Sequence, residues 1–469
     1  MEFTSEETKS YATRSLQHKL LLKAQLNLQG INTWSMNIIA ASEKLMKVYI
    51  ACGATINIIN LTYNYKNGAT SSFRINSREA SIQPTIITSL KILKFNEEEV
   101  LCILTMDAQA ILYFIENPDR TPLYYSNFDP AYEDNSTWSC TSSGHMLLLG
   151  SNSHTINAMD LETGDSKRLK IHDHNIPCID FSPSGKYFAC ASIDSTVSIS
   201  MLNKKLKWCR PCGEWGWGVK WVPKNSIANF NALPRNNVQS LRGRYQSQLY
   251  PTSYINHINN ITGHFNMFNA DEYFQELRRR LFGEPVDLLT DSEEESEEME
   301  VECWEESQNE GEEHHEEIDD CFLLYTTGDT VHLIDPSINP KQNDSNMHVA
   351  AVYIPDLDIH NGNTRLSLLE YIPEFSLCII ANQRGRELMF LKLAKDTKSQ
   401  NPESNSQPYV SFIPEASIML DQPILGMAVV SDIKSENSQA RIYCITDRSL
   451  LYTIQINLKN DSGLEKIII

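Results

Sequence analysis

No run of about 18 apolar residues occurs anywhere in this 469-residue chain, so no stretch is long and apolar enough to cross a bilayer as a helix. Nothing in it matches G-x-x-x-x-G-K-[ST], G-x-G-x-x-G or G-x-S-x-G. Those absences remove the phosphate-cradling loop, the dinucleotide fingerprint and the nucleophile elbow from consideration. The first residues, MEFTSEETKS, lack the apolar core of a secretory signal, so export is not expected. Basic residues are few: 40 Lys and Arg stand against 60 Asp and Glu, for a net charge of −20. Residues 291–320 contain no Lys or Arg and 17 acids, which leaves 43 acids against 40 Lys and Arg elsewhere. The acidity is therefore one segment's property, and the rest of the chain is nearly neutral. The eleven cysteines are odd in number, and several sit within apolar runs, as reduced core thiols do. A reducing compartment, cytosol or nucleus, is the expectation.

What the chain does contain is short β-type runs separated by Gly, Asn, Asp and Ser. The clearest unit is 172–201, HDHNIPCIDFSPSGKYFACASIDSTVSISM. IPCIDF alternates, SPSG turns, KYFACAS alternates again, and Asp194-Ser195-Thr196 turns before VSIS. This is the layout of one WD40-type β-propeller blade, in which His172 reaches the turn carboxylate of Asp194 and fixes the loops without performing chemistry. Grouped in fours, the runs place blades near 35–77, 84–126, 137–170, 174–209, 215–222 with 320–354, 365–413 and 416–457. The expected fold is thus an all-β, WD40-like propeller of seven blades, its fifth blade split by an insertion. Residues 14–29 look helical instead, because Leu16, Leu20, Ala24 and Leu28 recur at steps of four. The implied organisation is an N-terminal helical and polar segment (1–33), a first propeller part (34–222), an insertion (223–319), a second propeller part (320–457) and a tail (458–469). Closure by strands from both ends predicts that residues 36–61 lie beside 424–456.

A family resemblance rests on an ordered set of pieces: NSTW at 135–138, LLLGSNSHTINAM at 147–159, HDHNIPCIDF at 172–181, ASIDSTV at 191–197 and WGWGVKW at 215–221. Weaker echoes lie at 47–61, 87–114 and 322–335. Together they resemble the fungal WD40-like constitutive-RNR-transcription family, regulators of ribonucleotide-reductase gene transcription. The resemblance implies a non-enzymatic adaptor, found in nucleus and cytoplasm, whose partners are transcriptional or cullin-type ubiquitin-ligase subunits. One departure stands out. Where a blade of this type usually ends in Trp-Asp, the chain has Ser200 and Met201, so a Trp-Asp docking motif for a ligase adaptor is not evident.

The insertion begins with an Asn-rich polar stretch, continues into DEYFQELRRRLFG at 271–283, which reads as a short amphipathic helix, and ends in the acidic tract. The tract has too little apolar surface to offset chain entropy and is expected to stay disordered. Thr290 and Ser292 each have a glutamate three positions on, the context an acidophilic kinase reads; Ser296 is a weaker candidate. A loop of this length is a candidate interaction segment. Arg242, Arg244, Arg278, Arg279 and Arg280 are its basic groupings. Spread over about forty residues and followed by 17 acids, they make a poor phosphate-neutralising patch, and no direct nucleic-acid contact is expected.

Other chemistry has ordinary readings beside it. Cys209 and Cys212 form a C-x-x-C, half of a zinc site or two strand-end thiols, and no second ligand pair of suitable spacing follows. Cys303, His314 and His315 would contribute only if the acidic loop folded back. His172, Asp173 and His174 resemble a metal triad, although the blade already gives His172 a hydrogen-bonding task. Trp215, Trp217 and Trp221 would share one face of a strand. Such residues pack between blades, with Trp138 counted as a structural residue beside them, or form a binding hot spot if exposed at the rim. No catalytic site, metal, cofactor, membrane contact or small-molecule substrate is expected. Three functions remain: the adaptor just described, a generic propeller scaffold in an unrelated assembly such as trafficking or ribosome biogenesis, and a catalytic propeller with acids and a metal in its channel.

Overall fold

The computed structural model describes residues 16–26, 28, 30–33, 35–61, 70–74, 85–95, 97–127, 129, 131, 135–202, 204–212, 214–230, 320–337, 348–354, 365–396, 410–432 and 439–458. The chain divides into two compact units, Met1–Gln248 with His314–Ile469, and Leu249–Glu313. The second unit lies outside the described residues.

Within the first unit, strands fall into seven sheets, antiparallel but for one short parallel pair, with no α-helix among the described residues. The first strand, β1 (Leu16–Gln25), belongs to the last sheet. Blade one is β2 (Ile39–Ser42), β3 (Lys47–Cys52), β4 (Thr55–Asn60) and β5 (Thr70–Arg74). Blade two is β6 (Ile87–Phe95), β7 (Glu98–Thr105), β8 (Gln109–Phe114) and β9 (Leu123–Ser126). Blade three is β10 (Thr137–Ser143), β11 (Met146–Ser151), β12 (Thr155–Asp160) and β13 (Ser166–Lys170). Blade four is β14 (Cys178–Phe181), β15 (Tyr187–Ser192), β16 (Thr196–Met201) and β17 (Lys204–Pro211). Blade five starts with β18 (Gly218–Pro223), and the chain then makes β19 (Ala228–Phe230) before resuming with β20 (Cys321–Thr326), β21 (Thr330–Ile334) and β22 (His348–Tyr353). Blade six is β23 (Leu368–Ile372), β24 (Leu377–Ala381), β25 (Glu387–Asp396) and β26 (Val410–Met419). Blade seven is β27 (Ile424–Asp432), β28 (Gln439–Thr446) and β29 (Leu450–Leu458), completed by β1.

The first strands of successive blades touch one another in cyclic order, from β2 through β6, β10, β14, β18, β23 and β27 back to β2. They form the inner wall of a closed seven-bladed propeller. Residues 36–61 therefore lie beside 424–456. At that seam the Asn37 side chain donates to the Met427 carbonyl (2.8 Å) and accepts from its N–H (3.1 Å). A side chain at Gly426 would meet Asn37 Oδ1 at 2.7 Å and Ile39 at 2.9 Å, so only glycine permits this approach. Buried Gln383 donates to the carbonyls of Met36 (2.6 Å) and Leu425 (3.2 Å), tying blades six, seven and one.

The core is distributed between blades rather than gathered at one centre. Cys102 and Leu112 of blade two pack with Cys140 and Leu149 of blade three, and Ala189 and Val197 of blade four pack with Trp221 and Leu323 of blade five. The second strands are buried on both faces: every residue of β15, β20 and β24 is buried. This is why they read as continuous apolar runs. Cys102, Cys190, Cys321, Cys378 and Cys444 all sit in such second strands. The nine described cysteines form no disulfide, seven of them are buried, and burial pushes the Cys444 thiol up to about 12. The turn between second and third strands repeats a left-handed residue at Gly53, Ala108, His154, Ser195 and Ser449.

Four expectations need correction. Residues 16–25 form a strand, not a helix: β1 pairs antiparallel with β29 from Leu16↔Leu458 to Gln25↔Leu450. Step-of-four leucines suit a helix, but the unpaired edge of β29 offers this segment a ladder, with a register shift between Leu20 and Leu22 absorbing the mismatch. The ring accordingly includes part of 1–33. The boundary between blades six and seven falls at 420–423, not 413–416, because Pro414 sits inside β26 at a register shift opposite Phe390 and Leu391. Proline is tolerated there because the strand is outermost and bulged. The insertion also begins later than 223. Ile227 is buried, the Ser226 hydroxyl lies 2.7 Å from Tyr371 Oη, and β19 pairs in parallel with β25, so residues 224–230 lace blade five to blade six. The ends that flank the insertion do meet, as the Lys224 N–H donates to the Asp320 carbonyl at 3.0 Å. The fourth correction concerns Trp215 and is set out below.

Candidate interaction face

In each blade the turn between second and third strands and the connection to the next blade emerge on the same face. On blade four that face is organised by His172, whose side chain has no exposed surface. Its Nδ1 lies 3.0 Å from Asp194 Oδ2 and 2.9 Å from Thr196 Oγ1. Its Nε2 lies 3.1 Å from Cys190 Sγ and 2.9 Å from Ser198 Oγ. Asp194 in turn accepts from the N–H groups of Asp173 (3.0 Å) and Thr196 (2.9 Å). Burial disfavours a charged ring, but Cys190 and Asp194 against its two nitrogens outweigh that and hold it up to about 10. Burial likewise opposes the Asp194 charge, yet the hydrogen bonds from His172, Thr196 and Asp173 keep this carboxyl far below the usual carboxylate range. All the capacity of this network is turned inward, so it holds loops in place. Ser200, at the position where Trp is usual, is buried.

The same face shows that the three residues at 172–174 diverge. Asp173 is exposed. His174 turns to His154, with ring centroids 5.2 Å apart, and accepts from the Asn175 N–H at 2.8 Å. No group of three His, Cys, Asp or Glu side chains able to hold a metal occurs among the described residues. Cys212 is half-buried and in no disulfide; the Cys209 side chain, Cys303, His314 and His315 lie outside the described residues.

The tryptophans separate. Trp138 is buried, with Nε1 donating to Ser136 Oγ at 2.8 Å. Trp221 is buried in β18, with Nε1 donating to the Asp180 carbonyl at 3.1 Å. Trp217 is buried just before β18, under the Arg365 guanidinium at 5.4 Å. Trp215 is not on a strand and does not share their burial; it is 44% exposed. The expectation of one common strand face fails because the strand begins only at Gly218. Before it, the Gly216 N–H is tied to the Ser192 carbonyl (2.9 Å) and the Trp217 N–H to the Thr326 carbonyl (2.9 Å). These two anchors fix the loop, and the residue ahead of them, Trp215, stays at the surface, edge-on to Trp217 at 6.1 Å.

Sequence reasoning passed over two charged groupings. On the inner wall, Lys220 Nζ lies 2.9 Å from Glu370 Oε2 and near Asp180, whose carboxylate accepts from the Trp221 N–H at 3.3 Å. Burial works against the Lys220 charge, and the two carboxylates more than compensate, raising it above the ordinary lysine value. A lone lysine inside GVKWV was the available signal. On the loop face, Glu214 beside Trp215 hydrogen-bonds Thr327 and the Gly328 backbone and lies near Asp329. Burial and the Asp329 charge push the Glu214 carboxyl up, and burial raises Asp329 as well. Thr290, Ser292, Ser296, the segment 271–283 and the five insertion arginines lie outside the described residues.

No protein-family model matches the chain. It is 27% identical over 241 residues to a WD40 repeat-containing protein of Dictyostelium discoideum, covering 47% of this chain and 34% of that protein. The match thus spans about a third of that relative's length. A WD repeat-containing protein of Schizosaccharomyces pombe is 22% identical over 389 residues, covering 75% of this chain and 73% of the relative. Among solved structures, a chain of the mitotic checkpoint complex superposes with a TM-score of 0.54 at 12% identity, over 98% of both chains. The WD40 domain of Toxoplasma gondii coronin gives 0.55 at 9% identity, over 96% of this chain and 88% of that one. The architecture makes this chain a seven-bladed WD40-like β-propeller, similar at low identity to proteins described as WD repeat-containing.

Proposed function

We propose that this protein is a non-enzymatic interaction adaptor that regulates ribonucleotide-reductase gene transcription in association with a cullin-type ubiquitin ligase, in nucleus and cytoplasm. The observation that carries the adaptor reading is Trp215. A large aromatic held at the surface by two backbone anchors is the kind of residue that dominates protein–protein binding energy. The buried polar network around His172 is committed to structure. WD40 repeat propellers are generally non-catalytic scaffolds for other proteins, which fits both facts.

The finer part of the reading is supported by the resemblance of Trp138, the SNSH turn, HDHNIP and WGWGVKW to the transcription-regulator family. In the structure these pieces line neighbouring blades three, four and five. The root of the insertion lies at the Pro223 end of β18, and Trp215 precedes the Gly218 end. Six strand residues, about 20 Å, separate them. The adaptor therefore has two elements to offer: the exposed Trp215 and an acidic insertion suited to basic partners, with Thr290, Ser292 and Ser296 as phosphorylation sites that would raise its charge density. Affinity purification of the full chain followed by mass spectrometry tests this. Cullin-adaptor or transcriptional subunits are expected. Recovery of coat or pre-ribosomal proteins in their place would replace the reading with that of a scaffold in another assembly.

A further inference from the structure

Blade five is complete without residues 224–230. Its β18–β20 ladder runs to Pro223↔Cys321, and the Lys224 N–H closes it on the Asp320 carbonyl at 3.0 Å. The chain nevertheless continues as a strap onto blade six. The reason lies in β25, which outlasts its neighbour: β24 accompanies it only from Leu388 to Lys392. Beyond that point Ala394 and Lys395 have Ser411 and Val410 of β26 on one edge, and Ala228 and Asn229 of β19 take the other. This is the one parallel ladder among the described strands, and it is three residues long.

The strap is seated as a short peptide ligand would be. Ile227 is its anchor, buried in the core that Val222 of blade five shares with Leu369, Leu391 and Leu393 of blade six. Ala228 is half-buried and Asn229 exposed, so the hold weakens toward the insertion. Around the anchor, Ser226 Oγ lies 2.7 Å from Tyr371 Oη, the Ser376 hydroxyl donates to the Ser226 carbonyl, and Lys224 Nζ lies 3.0 Å from Asp335 Oδ2. One buried side chain and a three-residue ladder open more readily than the ring itself. What opening uncovers is an apolar slot beside an unpaired strand edge, the kind of surface to which extended peptides add as strands.

We propose that the strap is a displaceable cover over a strand-accepting slot on blade six, and that the slot takes an extended segment of a partner protein. The segment runs parallel to the end of β25, with a branched aliphatic side chain in the place of Ile227 and a polar residue two positions on. The proposal rests on the adaptor reading and adds a site and a partner chemistry to it. A helix keeps its backbone groups for itself and cannot pair with the β25 edge. A charged residue at the anchor would be buried without a counter-charge.

The test uses the full chain. Ile227→Asp places a charge at the anchor and should eject the strap, with cooperative melting showing that the ring persists. Hydrogen exchange should then speed up at residues 393–396 and stay unchanged in blades one to four. A labelled synthetic peptide with the sequence of residues 223–230, PKNSIANF, should bind the variant about tenfold or more tightly than wild type and restore that protection. The same peptide with Asp in place of its Ile should bind neither. In affinity-purified complexes of the full chain, a partner segment with an aliphatic residue at its centre should cross-link to Lys395 and be released by the peptide. If Ile227→Asp melts without cooperativity, Tyr371→Phe with Ser376→Ala loosens the strap in its place. Unchanged exchange, or exchange that speeds up without peptide binding, overturns the slot. Peptide binding with no partner segment released by it makes the strap a fixed part of the fold and overturns the proposal. A wild-type dimer that the peptide dissolves gives the slot to the strap of a second copy, which also overturns it. None of these failures touches the partners that depend on Trp215, so the adaptor reading stands or falls separately.

Discussion

Replacing His172 by Ala removes four contacts from a side chain with no exposed surface, to Asp194, Thr196, Cys190 and Ser198. Asp194 is not left bare, since the Asp173 and Thr196 N–H groups and the Thr196 hydroxyl still point at it. The cost is therefore below that of a fully orphaned buried charge. A charge-assisted hydrogen bond contributes about 1.5–3 kcal/mol, and the imidazole-sized void adds roughly another 1, so a loss of about 3 kcal/mol is expected. For a ring of about 300 residues with ~2.1 cal/mol/K of unfolding entropy each, that corresponds to a melting temperature lower by about 5 °C. The raised His172 contributes stability that is full below its ordinary value of 6.5 and is lost as pH climbs through about 10. The lowered Asp194 contributes stability that is present above 3.8 and lost as pH falls below it. Wild type and His172→Ala should thus differ most between about pH 4 and 6.5 and converge on either side. Denaturant unfolding across that range measures it, with His145→Ala as the control because its partner Asp160 is a surface group. Equal stability of wild type and His172→Ala at pH 5–6 would refute the structural role assigned to this network.

Lys220→Met leaves Glu370 and Asp180 without their counter-charge on the inner wall and should cost roughly 1–3 kcal/mol by denaturant titration; Glu370→Gln should cost less, and equal effects would count against the pair. Replacing residues 231–319 by a Gly-Ser linker should keep cooperative melting, whereas extending the deletion back to 224 should lower the melting temperature by removing Ile227, the Ser226–Tyr371 contact and the Lys224–Asp335 ion pair (3.0 Å). Removal of residues 1–25 exposes the outer edge of β29 along nine cross-strand pairs, and size-exclusion chromatography should show association or aggregation in place of a monodisperse ring. Thr290→Ala with Ser292→Ala should reduce recovery of basic partners in pull-downs and flatten its salt dependence; unchanged recovery eliminates regulation at these sites.

How far the fold could be read in advance depended on which residues faced what. Blade four was legible because His172, the SPSG turn and the Asp194 turn all kept their local chemistry, and the left-handed residue at 195 follows from it. The other turns were only echoes: Asp107-Ala108, Ser153-His154 and Arg448-Ser449 make similar bends with different side chains. The second strands, buried on both sides, lose the alternation that marks a strand, though their position between turns still located them. β1 was misread because its identity comes from a partner more than 400 residues away, and no local pattern encodes that. Pro414 disguised the middle of β26 as a turn for a similar reason, since only the pairing with β25 shows it to be a bulge. Of the candidate face, the contact of His172 with Asp194 was readable from spacing. The exposure of Trp215 was not, because it depends on where β18 starts and on the anchors at Ser192 and Thr326. Glu214 leads into β18 and Asp329 lies on the β20–β21 turn of the same blade, whose pairing across the long insertion no local pattern encodes.

The most direct measurement on the adaptor account is quantitative affinity purification of the full chain beside Trp215→Ala, with melting temperatures recorded for both. Trp215 is 44% exposed and packs on its neighbours at one edge, so the variant should fold with little change in melting temperature. The account predicts that Trp215→Ala selectively loses a set of partners, cullin-adaptor or transcriptional subunits among them, at preserved stability. An unchanged partner set at preserved stability would contradict it.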